Sequence, residues 1–242
     1  MSDSPAPPDS GPPNHMSVRV TANGPYEVTG RVPLTRQVIV TDNEGASVGW
    51  QQGESFETAE EYRLCRCGQS ANKPYCDESH LRVGFDGTET ASRAPYSREA
   101  VEQDGPFVSL TDNQRLCAFA RFCDVGGQVW NLVEEPSQEA AALAVQEAEL
   151  CPSGRLVAWN RRSRTAFEQE LEPSIGLVED PGEQVSGPIW VRGRIAVTAA
   201  DGTKYEVRNR VTLCRCGASR NKPFCDGTHA AIGFRDDKQE AQ

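Results

Sequence analysis

Nine cysteines and three histidines are the residues of this chain best suited to chemistry, and most fall into two short stretches. The first reads Cys65-Arg-Cys67-Gly-Gln-Ser70-Ala-Asn-Lys73-Pro74-Tyr-Cys76-Asp77-Glu78-Ser79-His80. The second reads Cys214-Arg-Cys216-Gly-Ala-Ser219-Arg-Asn-Lys222-Pro223-Phe-Cys225-Asp226-Gly227-Thr228-His229. Both have the spacing C-x-C-x8-C-x3-H. A Cys and a His at i and i+4 share one face of a helical turn, so the spacing predicts a helical turn that aims both at one metal centre. Cys-x-Cys cannot converge on a helix and calls for an extended loop. Three thiolates and an imidazole suit either zinc or an iron–sulfur cluster, and the ligand set alone leaves both open.

The residues between the ligands narrow the choice. The pattern C-x-C-x2-S-x3-P-x-C-D-G-S-H resembles the signature of the CDGSH iron–sulfur proteins, the mitoNEET-like family. The second stretch departs from it only at Thr228, where the family has Ser. The first departs at Glu78, where the family has Gly, and this matters more if the position needs a positive φ. The resemblance implies a 2Fe–2S cluster at each stretch, held by Cys65, Cys67, Cys76 and His80 and by Cys214, Cys216, Cys225 and His229. A zinc knuckle with the same ligands is the competing reading.

Three cysteines remain: Cys117, Cys123 and Cys151. Bacterial ferredoxins bind a cluster with C-x2-C-x2-C and a distant Cys-Pro. Here Cys117, Ala120 and Cys123 take the first three places and Cys151-Pro152 the last, so an alanine stands where the middle thiolate belongs. The segment resembles the three-cysteine mono-cluster ferredoxins of bacteria, including their Cys-Pro-Ser-Gly turn. That resemblance implies a 3Fe–4S cluster held by Cys117, Cys123 and Cys151. A 4Fe–4S cluster with water or a side chain such as Asp124 as fourth ligand, and three merely structural buried cysteines, are the alternatives. His15 is assigned no role.

The elements that position these ligands recur as well. Val18–Val20, Tyr26–Val32 and Val38–Val40 read as short strands before the first site. Gly187-Pro188-Ile-Trp190-Val191-Arg-Gly193-Arg194-Ile195 answers Gly24-Pro25-Tyr-Glu-Val28-Thr-Gly30-Arg31-Val32, and Lys204–Val207 is expected as a further strand before Cys214. Gly233-Phe234 answers Gly84-Phe85. The sites recur 149 residues apart and the upstream strands 163 apart, so the halves are duplicates with an insertion before the first site. CDGSH relatives often work as two-fold dimers sharing a β-layer. The expected fold class is therefore α+β: two small β-rich units, forming an intramolecular pseudo-dimer, flank a ferredoxin-like α+β unit. Two independent beads on a string is the other arrangement.

The expected boundaries are a disordered tail over 1–16, a first CDGSH unit over 17–100, the ferredoxin-like unit over 101–165, a linker over 166–186 and the second CDGSH unit over 187–242. In the middle unit Phe107–Leu110, Val129–Val133 and Leu156–Trp159 read as strands, and Ser137–Leu150 as an Ala- and Glu-rich helix with Ser137 as N-cap. Arg161, Arg162 and Arg164 open a stretch read as a solvated wrap, with partner docking as the lesser reading.

At 242 residues, 37% hydrophobic content and a mean hydropathy of −0.57, several small metal-stapled units are expected rather than one large core. No apolar run reaches the roughly 18 residues of a membrane span, and no signal peptide is visible. The formal charge of −10 speaks against a nucleic-acid partner. An odd cysteine count with C-x-C spacing speaks against a disulfide framework and for a reducing cytoplasm. Arg66, Lys73, Arg215, Arg220 and Lys222 either offset cluster charge or serve ordinary surface solubility. A histidine ligand leaves a 2Fe–2S centre one negative charge short of an all-cysteine one, which raises its potential.

No nucleophile–base pair, phosphate loop or nicotinamide motif is present, so an enzyme is not expected. The expected work is one-electron transfer between protein partners by a monomer with an internal two-fold. Cluster storage, delivery or redox sensing, and a zinc-stabilised interaction module, are the alternative functions.

Overall fold

The computed structural model describes residues 15–236; the tail expected over 1–16 lies, up to residue 14, outside the described residues. The fold is mixed α/β, with many strands and few helices, arranged as three sheets.

The first half contributes β1 (Ser17–Val20), β2 (Tyr26–Thr29), β3 (Leu34–Thr41), β4 (Ser47–Phe56) and β5 (Glu61–Leu64). Burial alternates along β1 and β2, the period of a sheet with one face on a core. The first ligand stretch follows, ending in the single turn α1 (Ser79–Arg82), and α2 (Tyr96–Glu99) leads into the middle unit. There β6 (Val101–Asp104) and β7 (Val108–Asp112) precede α3 (Val129–Glu134) and α4 (Gln138–Leu150), and β8 (Leu156–Asn160) and β9 (Ala166–Phe167) complete the sheet β6-β7-β8-β9. The second half adds β10 (Ser174–Asp180), β11 (Val185–Arg192), β12 (Ala196–Thr198), β13 (Arg210–Leu213) and α5 (Thr228–Ala231).

Neither half builds its sheet alone. One sheet runs β12-β1-β2-β5, with second-half β12 parallel to β1; the other runs β13-β11-β10-β3-β4, with first-half β3 parallel to β10. Each sheet thus takes one parallel strand from the opposite half, and the two inner faces share a core of Val18, Tyr26, Val28, Leu34, Leu64, Ile175, Leu177, Ile189, Val191 and Leu213. The insertion before the first site is the β3–β4 hairpin. Its Trp50 stacks on Phe122 and Trp190 at about 5 Å between ring centroids and donates from Nε1 to the Leu150 carbonyl.

Three sequence expectations change. Val129–Val133 is helical, because Val129, Leu132 and Val133 sit at the 3.6-residue period and pack together against α4. Lys204–Val207 is not a strand: Lys204 makes one isolated bridge to Thr198, and the strand entering Cys214 is β13. The stretch 166–186 is no simple linker, since β10 lies in the middle of a sheet. Within the basic stretch, Arg161 and Arg164 pair with Asp104 and Glu102. The helix expected after Ser137 forms as read, with Ser137 Oγ accepting from the Ala140 amide.

Candidate metal centres

The two ligand stretches fold alike. β5 and β13 end at Leu64 and Leu213, immediately before Cys65 and Cys214, and the chain turns back through a glycine at positive φ, Gly68 (73°) or Gly217 (81°). No Cβ fits there: one on Gly68 would lie 2.6 Å from the Cys216 carbonyl oxygen, and one on Gly217 the same distance from that of Cys67. The two loops therefore meet backbone to backbone, and the contact is reciprocal. The turn brings Cys65 Sγ within 3.8 Å of Cys67 Sγ, and Cys214 Sγ within 3.9 Å of Cys216 Sγ.

The second pair of ligands forms where the chain returns to the strand. The Cys76 amide donates to the Arg63 carbonyl and the Cys225 amide to that of Thr212. Cys76 Sγ then lies 3.5 Å from His80 Nδ1, and Cys225 Sγ 3.4 Å from His229 Nδ1. The expected helical turn accounts for only part of this. The helices begin at Ser79 and Thr228, after the cysteine, and a residue in the left-handed region, Glu78 (68°) or Gly227 (84°), swings the histidine back. Asp77 and Asp226 set that turn. Each accepts the amide two residues on and an amide of the preceding loop, Ala71 or Arg220. Both carboxyls lie below the usual range; hydrogen bonding from Ser79 is the main cause for Asp77, while for Asp226 hydrogen bonding overcomes the opposing effect of burial. The repeat of Asp at one position of both stretches was the signal for this role, which ligand counting alone passes over.

Amides also point at sulfur. Those of Gln69, Glu78 and Gly227 lie 3.4 Å from the Sγ of Cys67, Cys76 and Cys225. The neighbouring thiol of the pair, and then loop amides, hold Cys65 and Cys214 below the usual thiol range, so each pair has one thiol that gives up its proton more readily. Burial drives Cys225 well up, so loading that site must expel a proton.

The basic residues divide. Arg66 and Arg215 are buried, not surface solubilisers. Arg66 donates to the carbonyls of Thr21 and Gly87 and faces the Tyr26 and Phe85 rings. Arg215 pairs with Glu179 and Asp236. Lys222 donates to the Ser219 carbonyl, and Arg220 is exposed.

The three remaining cysteines share one pocket, although among the described residues no three such side chains converge on a single ion. Cys117, Cys123 and Cys151 line one pocket, walled by Ala118, Ala120, Phe122, Pro152, Arg155 and Leu156. Ala120 thus stands at the pocket, and its other contacts are with a cluster of Ile39, Phe122, Val178 and Trp190. The loop holds its shape with two non-glycine residues at positive φ, Phe119 (54°) and Arg121 (62°). Among the described residues the amides of Ala118 to Phe122 find no acceptor, which leaves donors beside the thiols. Burial pushes Cys123 up to about 12. Arg155, held by two bonds to Asp112, adds a cation to the wall. Asp124 is exposed and does not line the pocket. A three-thiol pocket with a cationic wall and free amides suits an anionic iron–sulfur group, as do the paired ligands of the other two sites.

Two residues that matter here had no sequence signal. Asp180 ends β10, inside the supposed linker, and holds Arg121 of the Cys117–Cys123 loop through both carboxylate oxygens. Their partnership is made only by the fold.

The family model described as iron-binding zinc finger CDGSH type matches residues 23–81 and again 186–230. The model described as divergent 4Fe-4S mono-cluster matches residues 103–161. Searches of curated proteins and of solved structures find no match. Among the described residues no helix is long and apolar enough to cross a membrane. The chain thus carries two CDGSH-type iron-binding segments on either side of a divergent 4Fe-4S mono-cluster segment, an iron–sulfur protein in three parts.

Proposed function

We propose that this chain is a multi-cluster iron–sulfur protein that passes single electrons between protein partners. It has no substrate chemistry of its own and works as a monomer in the reducing cytoplasm, where thiolate ligands stay reduced. Cys65, Cys67, Cys76 and His80 would hold one 2Fe–2S cluster, and Cys214, Cys216, Cys225 and His229 a second. Cys117, Cys123 and Cys151 would hold a 3Fe–4S cluster. When bound, such groups accept and release one electron at a time.

The observation that carries the reading is the pairing of ligands. A single tetrahedral zinc would bring all four donors within about 3.8 Å of one another. Here each site has two separate close pairs, Cys–Cys and Cys–His. Among the described residues no three such side chains converge on one ion. Two pairs suit a centre of two metals. For the middle site, the support is the alanine at the pocket wall where a fourth thiolate would stand.

The exchange of parallel strands and the reciprocal Gly68–Cys216 and Gly217–Cys67 contacts support an intramolecular pseudo-dimer. In this arrangement buried Arg66 and Arg215 anchor the two loops, and the protein supplies amide donors and bulk that keep water from the sulfur atoms.

The reading is tested by stoichiometric reduction of the anaerobic protein followed by reoxidation. Reversible cycling with iron and sulfide retained supports electron transfer. Release of iron and sulfide to an apo-acceptor on each cycle would replace it with cluster delivery. Ala120→Cys should convert the middle site to four irons; an unchanged three-iron signal under iron-replete reduction would refute the ligand geometry.

A further inference from the structure

The two CDGSH-type sites share a ligand set but not an environment. At the second, the four ligands are all buried, His229 to 4% and Cys225 to 4% exposure. At the first, Cys76 and His80 are only half-buried, and beyond them Leu81 is 70% exposed. Something therefore covers the histidine edge of one site and not the other.

The cover is the middle unit. A Cβ placed on Gly227 would lie 3.3 Å from the Cys117 carbonyl oxygen and 3.5 Å from Phe119 Cβ, so the Cys117–Phe119 backbone runs directly over the turn that carries His229. The loop is fastened a few residues on. Arg121 gives both terminal nitrogens to Asp180, and its Nε lies 3.5 Å from Glu183. Asp180 is 3% exposed and also accepts the Glu183 amide, so the anchor belongs to the rigid end of β10. Asn221 adds a second tie, donating 2.9 Å to the Arg115 carbonyl just before Cys117.

The equivalent position at the first site has the opposite requirement. Glu78 adopts the same left-handed backbone as Gly227, but its side chain extends outward to pair with Arg63 at 2.7 Å, with both side chains about half exposed. The departure from the family glycine thus falls where the side chain reaches out half exposed among the described residues. Gly227 is retained where a loop lies over the turn.

We infer that the Cys117–Arg121 loop, fastened by Arg121 to Asp180, seals the second CDGSH-type site, so that the first site alone exchanges iron, sulfide and acceptors with the outside. The inference rests on the proposal that both sites carry clusters. The sealed site is a resident one, wedged between the open site and the middle pocket. The open site is where a redox partner's approach takes place. Without this loop the histidine edges of the two sites would be similarly accessible.

The test is site-resolved thiol footprinting of the loaded protein. The protein is exposed to an iron chelator for timed intervals, alkylated with iodoacetamide under native conditions, digested and read by mass spectrometry. Cys76 should become alkylated at least tenfold faster than Cys225. Arg121→Gln should raise the Cys225 rate towards that of Cys76 and leave Cys76 unchanged. Asp180→Asn, which changes the anchor without touching the loop, should do the same if the first variant folds poorly. Equal rates in the wild type overturn the seal, as does a ratio unmoved in a folded variant of either kind. Failure of the underlying reading looks different: a colourless protein carrying zinc and no sulfide before any chelator is added.

Discussion

The first and second CDGSH-type sites are a controlled comparison made within one chain. The same sixteen-residue plan forms the same turn twice, yet one copy faces solvent and the other lies beneath the middle unit. Their buried arginines differ too. Arg66 is met by carbonyls and aromatic rings, whereas Arg215 is neutralised by Glu179 and Asp236. The ligand motif determines which atoms reach the metal. What surrounds it determines access, charge and stability, and here that comes from parts of the chain far from the motif.

The largest expected effect comes from exchanging the one motif residue that differs between the sites. Gly227→Glu puts a side chain against the Cys117 carbonyl at a φ of 84°, and should cost about 1–3 kcal/mol. Chemical denaturation of the loaded protein would register it, along with faster loss of the second cluster's absorbance. A variant as stable as the wild type would mean that the loop does not press on this turn.

Acidification should separate the sites next. Desolvation by burial holds His229 down at about 4, against about 6.5 for an unfolded histidine. Folding stability from this group is fully present above about pH 6.5. It falls as pH drops from there towards 4, because the unfolded chain takes up a proton that the folded chain refuses. Because Cys76 and His80 are half-buried and Cys225 and His229 are buried, the first site should bleach first in stopped-flow absorbance at stepped pH, the second at lower pH, and the middle site, which has no histidine, last. His80→Cys together with His229→Cys should slow both early phases and lower both potentials, since each site gains a negative charge. Equal bleaching rates in wild type and double variant would show that histidine protonation is not controlling.

Charge should order the potentials. Glu179 and Asp236 pair directly with Arg215, while among the described residues no carboxylate forms an ion pair with Arg66, so the first site should be reduced before the second. Asp236→Asn removes one negative charge and should narrow the gap in a spectroscopic redox titration. Identical potentials in the wild type would mean that these buried charges are screened from the sites.

The smallest effect is Glu78→Gly. Glycine removes the cost of a side chain at φ 68°, a gain of up to about 1 kcal/mol, and loses an exposed ion pair with Arg63 that contributes little. A slightly higher melting temperature is expected; a marked drop would show that the Arg63 pair holds the turn.

The candidate ligands were legible in the sequence as motifs, and the structure places Cys65 beside Cys67, Cys76 beside His80, and Cys117, Cys123 and Cys151 on one pocket, although helical spacing accounts for only part of the Cys76–His80 approach. So was the duplication, since the strands recur with the sites. The Ser137 cap was equally local. Val129–Val133 was misread because a short apolar run fits strand and helix alike; only its packing on α4 decides. Ser174–Asp180 did carry a strand signal, Ile175 and Leu177 alternating between two prolines, but acidic neighbours hid it. Strand exchange between the halves, and the Arg121–Asp180 anchor, join residues far apart in sequence and leave no local trace.

Iron, zinc and acid-labile sulfide analysis of the anaerobically prepared protein, paired with low-temperature EPR before and after reduction, tests the central claim most directly. Two irons and two sulfides at each CDGSH-type site, three irons and four sulfides in the middle, and a three-iron signal in the oxidised protein are predicted. Zinc in place of iron, without sulfide, would contradict the account.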